Sequence, residues 1–97
     1  MKRMTTLCLF GGLLMLATTV AADETYTCTY GPDERVISVV YQDQEAKVPC
    51  EVRYQKEGVT ETLWRAQEEV GYCDEKAKAF VEKQRLWGWK CEEKSTE

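Results

Sequence analysis

Four cysteines, Cys28, Cys50, Cys73 and Cys91, are spread across most of a short chain, and they limit its possible folds more than any other feature. A fifth, Cys8, lies in an N-terminal segment that reads as a secretory leader. An even number of cysteines in a small exported domain predicts two disulfides. Zinc is a poor alternative: there is no CxxC pair, the spacings are long, and the chain contains no histidine.

The leader reading rests on the opening MKRMTTLCLFGGLLMLATTVAADE. Lys2 and Arg3 form a basic start, Leu7 to Leu16 an apolar stretch, and Val20-Ala21-Ala22 the small residues of a cleavage site. The apolar stretch is short for a membrane span. Cys8 lies inside it rather than at the cleavage point, so no lipid anchor is expected. The predicted organisation is a signal peptide over 1–22 and one domain over 23–97. Removing 22 of 97 residues leaves 75. A chain that short buries a modest core and needs its disulfides. The expected location is periplasmic or secreted.

The full chain carries 13 basic and 17 acidic residues, a net charge of −4, and losing Lys2 and Arg3 takes it to −6. That balance disfavours nucleic acid and anionic membrane surfaces as partners.

Four segments carry strand patterns. Thr25–Tyr30 alternates, with Tyr26, Cys28 and Tyr30 on one face. Arg35–Tyr41 is rich in β-branched residues, with Ile37, Val39 and Tyr41 inward. Val48–Gln55 places Val48, Cys50, Val52 and Tyr54 on one side, and Val59–Gln67 follows a Lys56-Glu57-Gly58 turn. Of two possible registers for this last hairpin, a three-residue loop sets Cys50 opposite Trp64 and Arg53 opposite Glu61. The two-residue loop sets Cys50 opposite Arg65, so the first is expected.

Val70 to Cys91 then reads as a helix and its return. Cys73, Ala77, Phe80, Val81, Gln84 and Trp87 share one face. Glu75, Lys76, Lys78, Glu82, Lys83 and Arg85 occupy the other. Asp74 and Glu75 near the start, and Lys83 and Arg85 near the end, suit the helix dipole. Gly88 is placed to end the helix, and Glu92–Glu97 reads as a polar tail. The predicted fold is α+β: a four-stranded antiparallel meander with one C-terminal helix packed on one face. That layout pairs Cys50 with Cys73 and Cys28 with Cys91. The alternative joins Cys73 to Cys91 and Cys28 to Cys50.

Catalytic chemistry is not evident. Without histidine there is no imidazole-activated nucleophile, and the carboxylates fall mostly on outer positions. No metal or cofactor is expected. Trp64 and Trp87 read as core residues, and Trp89 as partly exposed. The uncovered back of the sheet is expected to carry Val36, Val40, Val59 and Leu63. With Trp89, these make the candidate partner face.

The segments YTCTYG, VPCEVRY, LWRA, GYC, KAKAF and WGWKC together resemble a group of small exported proteins of Gram-negative bacteria. That resemblance implies export and supplies no catalytic residue. Tyr26-x-Cys28-x-x-Gly31 also resembles the opening of the membrane-bound inhibitors of c-type lysozyme. Beyond it, the chain lacks their Ser-Gly-x-x-Tyr loop and adds a helix. The expected function is an exported binding or inhibitor-like module, monomeric or weakly dimeric, whose partner is a protein. The alternative is an envelope or stress accessory protein with a structural or interaction role.

Overall fold

The structure is a computed structural model that describes residues 24–95. The expected leader and its cleavage point lie outside the described residues. Five strands and one helix follow in order: β1 (Glu24–Tyr30), β2 (Asp33–Tyr41), β3 (Cys50–Lys56), β4 (Val59–Ala66), α1 (Tyr72–Leu86) and β5 (Lys90–Ser95). The strands form one antiparallel sheet in the order β4-β3-β2-β1-β5. The fold is therefore α+β, a meander with the helix on one face, as the patterning predicts. It differs by one added strand.

The added strand, Lys90–Ser95, takes in the first four residues of the Glu92–Glu97 stretch that polarity assigns to a tail. Its backbone pairs with the free edge of β1, from Thr29 opposite Lys90 to Glu24 opposite Ser95. Ladder hydrogen bonds use main-chain groups, so a row of Lys and Glu side chains does not prevent pairing. Charged residues also suit an edge strand, because they discourage further pairing. Cys28 lies directly opposite Cys91, and the two are joined. The second disulfide joins Cys50, at the start of β3, to Cys73, in the first turn of α1.

Alternation places the core as the pattern requires. Tyr26, Cys28, Ile37, Val39, Cys50 and Val52 from the sheet meet Cys73, Ala77 and Val81 from the helix, all buried. Each fully buried Ile or Val contributes about 1.5–3 kcal/mol. The buried strip of α1 is narrow and centred on Ala77.

The β3–β4 hairpin corrects the expected register. Glu57 (φ 53) and Gly58 (φ 81) are both left-handed and form a two-residue turn. Tyr54 therefore faces Glu61, and Arg53 faces Thr62 rather than Glu61. The ladder then shifts between Arg53 and Val52. Leu63 is passed over, Val52 meets Trp64, and Cys50 meets Ala66, not Trp64. Neither uniform register satisfies both ends, because the tight turn and the apolar inner face demand pairings one residue apart. A β-bulge absorbs the difference.

Trp87 is a second correction. It caps the C-terminus of α1 and is 62% exposed. At 100° per residue, it lies roughly 80° around the helix from Ala77, outside the buried strip. Gly88, at φ 101, then reverses the chain. The Trp89 N–H donates to the Gln84 carbonyl at 3.0 Å, and the Trp89 side chain folds back against the core, half-buried.

Candidate functional site

Beside the buried strip, α1 carries a second stripe: Tyr72, Lys76, Phe80, Lys83 and Trp87. Their spacing of three or four residues stacks them along one flank, with aromatic and cationic side chains alternating. The stripe borders β4. Trp64, turned toward the helix by the bulge, meets Phe80 edge-on with ring centroids 5.9 Å apart. Tyr54 supports Phe80 from β3 in a T-shaped contact at 5.0 Å. Rings so arranged add modest energy beyond area burial, and they hold Phe80 in place.

Between Trp64 and α1 lies a groove of about 140 Å³, lined by Trp64, Lys76, Ala79, Phe80 and Lys83. Its surface is almost wholly apolar, apart from a lysine toward each end. The Lys76 ammonium sits 5.7 Å from the Trp64 ring and 5.5 Å from the Tyr72 ring. Among the described residues, neither Lys76 nor Lys83 forms an ion pair with a carboxylate. Lys78, by contrast, is held by Asp74 at 3.2 Å.

The stripe ends in an apolar corner where Leu86 is 84% exposed, next to exposed Trp87. Behind it, Trp89 packs on Tyr30 at 5.5 Å, and the Arg35 guanidinium lies 4.8 Å from the centre of the Trp89 ring. Gly88 passes close to this pair. A Cβ there would stand 3.4 Å from the Tyr30 ring.

The other flank of α1 mixes Asp74 and Glu82 with Lys78 and Arg85 and lies beside Tyr26 and Glu93. The Tyr26 hydroxyl donates to Glu24 Oε1 at 3.5 Å. Burial, and then the Asp74 carboxyl beside it, raise the Glu24 carboxyl to about 7. Asp74 Oδ1 is buried and has no donor among the described residues. Two carboxylates cannot bond each other, but a proton on Glu24 gives Asp74 the donor it lacks. Burial and the surrounding acids also push the Tyr26 hydroxyl well above its ordinary range.

The five residues of the expected partner face are dispersed. Val40 is buried at 8% exposure. It faces Glu51 across the ladder, whose carboxylate engages Arg53 at 2.9 Å and Arg65 at 3.7 Å. A valine among such long neighbours is covered by their stems. Val59 is exposed, but it pairs with Lys56 on the strand parity of Tyr54 and Val52, away from the back face. Leu63 is the bulged residue and is half-buried, as is Val36. Trp89 lies at the far end, against Tyr30. No contiguous apolar patch unites them.

Sequence reasoning assigns Lys76 and Lys83 to a plain solvated face. The missed signal is the i, i+4, i+8, i+11, i+15 run of aromatic and lysine residues from Tyr72 to Trp87, which sits beside the core periodicity. Among the described residues, no group of three or more Cys, His, Asp or Glu is placed to hold a metal ion, and no helix is long and apolar enough to cross a membrane. Comparison with protein-family models, curated proteins and solved structures finds no match.

Proposed function

We propose that this chain is an exported protein-binding module, acting by occupying a partner's surface rather than by turning over a substrate. The stripe from Tyr72 to Trp87 and its corner form the binding surface. The observation that carries this reading is the exposure of Leu86 and Trp87, 84% and 62%, at the C-terminal end of the helix whose flank lines an apolar groove. Large exposed apolar groups next to a groove are costly to leave in water, and they mark contact surfaces. Tryptophan is also prominent among residues that dominate binding energy.

The two disulfides support the export part of this reading, because such bonds persist in secreted and periplasmic proteins. Two staples close this fold. They make the surface rigid before contact, which lowers the ordering cost of association. An inhibitor of a periplasmic or secreted enzyme is one form of such a module.

The test compares the wild-type protein with Trp87→Ser, which changes an exposed cap residue and leaves the core intact. Both are immobilised and presented with the same periplasmic extract. A protein retained by the wild type and lost by the variant is the expected result. Equal retention by both would remove this surface from the proposal.

A further inference from the structure

We propose that the groove between Trp64 and α1 receives an acidic segment of a partner protein, with one apolar side chain seated between two carboxylates. The inference rests on the binding-surface reading above and specifies the partner's chemistry. Three features of the groove support it.

The first is size. A volume of about 140 Å³ is close to that of cavities that hold a single small apolar group, on the order of 150 Å³. It suits one aliphatic side chain and is small for a folded ligand or a sugar. Its walls, Phe80 and Trp64 in edge contact, are apolar, and Phe80 is braced by Tyr54.

The second is charge. Lys76 and Lys83 stand at opposite ends of the groove, and neither has a carboxylate partner among the described residues. The chain as a whole is acidic, which would repel an acidic partner over most of its surface. Screening confines that repulsion to about 8 Å at physiological salt. Within the groove, the two lysines are the nearest charges.

The third is spacing. Lys83 stands seven positions beyond Lys76 on the helix, roughly 10 Å along the axis. In an extended segment, residues i, i+2 and i+4 project on one face, and the outer pair spans roughly 13 Å. Flexible lysine stems accommodate the difference. An acidic–x–apolar–x–acidic segment therefore places both carboxylates near ammonium groups and the central side chain over Phe80.

The test is a nitrogen-15 NMR titration of the exported protein with acetyl-Gly-Glu-Gly-Leu-Gly-Glu-Gly-amide. Two control peptides replace both Glu by Gln, or Leu by Ser. The expected result is movement of the Trp64 indole and Ala79–Lys83 amide signals with the first peptide. Binding should weaken as salt rises, and each control should bind more weakly. The double variant Lys76→Gln, Lys83→Gln should weaken binding about tenfold, since exposed ion pairs are individually small. Both positions lie at the surface, and an unchanged thermal midpoint verifies folding.

Equal binding of the Gln peptide would overturn the charge argument, and equal binding of the Ser peptide the anchor argument. Shifts at the same residues with dodecanoate but none with any peptide would assign the groove to an acyl ligand and overturn the proposal. If no peptide binds while Trp87→Ser still abolishes partner capture, the partner chemistry fails and the binding surface stands. If the peptide binds while Trp87→Ser captures as the wild type does, the groove proposal holds and the corner is excluded.

Discussion

Val52 lies opposite Trp64, although Arg53, the next residue along β3, lies opposite Thr62. One residue of β4, Leu63, is left out of the ladder, and everything on the functional flank depends on it. The offset turns Trp64 to the helix side, where it meets Phe80 and forms one wall of the groove.

Deleting Leu63 should therefore be tolerated. It removes the bulge and leaves the flanking pairs, Val52 with Trp64 and Arg53 with Thr62, in one regular register. Both disulfides should still form by non-reducing peptide mapping, with a loss of about 1–2 kcal/mol from the half-buried side chain. Deleting Arg65 instead shifts Ala66 away from Cys50, and mapping should then show scrambled or free thiols. Correct pairing in the Arg65 deletion would contradict this account of the register.

Val40→Lys should cost several kcal/mol, because it forces an ammonium into a site that is 8% exposed. Val59→Lys should change stability by no more than about 0.5 kcal/mol, since Val59 is 67% exposed. Urea midpoints of the two variants measure the contrast. Similar midpoints would mean that Val40 is not covered.

Gln84 is 2% exposed, and its Oε1 is buried without a hydrogen-bond partner among the described residues. An unsatisfied buried acceptor costs about 1–3 kcal/mol. Gln84→Met keeps the side chain's length and removes the acceptor, so the urea midpoint should rise. A fall would show that the amide makes a contact worth more than the orphan oxygen costs.

Glu24 introduces a pH dependence of defined sign. Its carboxyl is raised to about 7, first by burial and then by Asp74 and Glu93, while Lys78 opposes the shift. Between the ordinary glutamate range and about 7, the folded protein thus holds a proton that the unfolded chain releases. The stabilisation is complete below the unfolded pKa and is lost as pH rises through the folded one. Stability should fall from pH 4.5 to pH 8, and Glu24→Gln should flatten that fall. Denaturant titrations at three pH values test it, and an unchanged slope in the variant would exclude Glu24 as the source.

The two disulfides should contribute unequally. In the chain-entropy model, the Cys50–Cys73 link closes a loop worth about 3 kcal/mol and the Cys28–Cys91 link one worth about 4 kcal/mol, for separations of 23 and 63 residues. Replacing Cys28 and Cys91 by Ser should cost more and release β5, seen as faster amide exchange at Thr27 and Glu92. Protection of β5 equal to the wild type would show that the ladder holds without its staple.

Local pattern determined a great deal in this protein. Alternation from Tyr26 to Val52 selects the buried face of the first three strands, and Cys73, Ala77 and Val81 mark the buried strip of the helix. Both are short-range consequences of where a side chain must point in a strand or helix. With those faces assigned, the positions of Cys28, Cys50, Cys73 and Cys91 follow closely enough to favour one pairing over its alternative. What tertiary structure decided is of another kind. Pairing of Lys90–Ser95 with β1 depends on an unused strand edge, which side-chain polarity does not report. The bulge at Leu63 settles a conflict between a turn and a core that are several residues apart. Trp87 leaves its expected core position for the surface at the end of the last helical turn, while Trp89, just beyond Gly88, is half-buried as expected. The groove exists only where Trp64, from the bulged strand, meets Phe80 and its flanking lysines. The β5 pairing and the groove are set by contact between segments distant in sequence, and their free energies cannot be assigned to either segment alone.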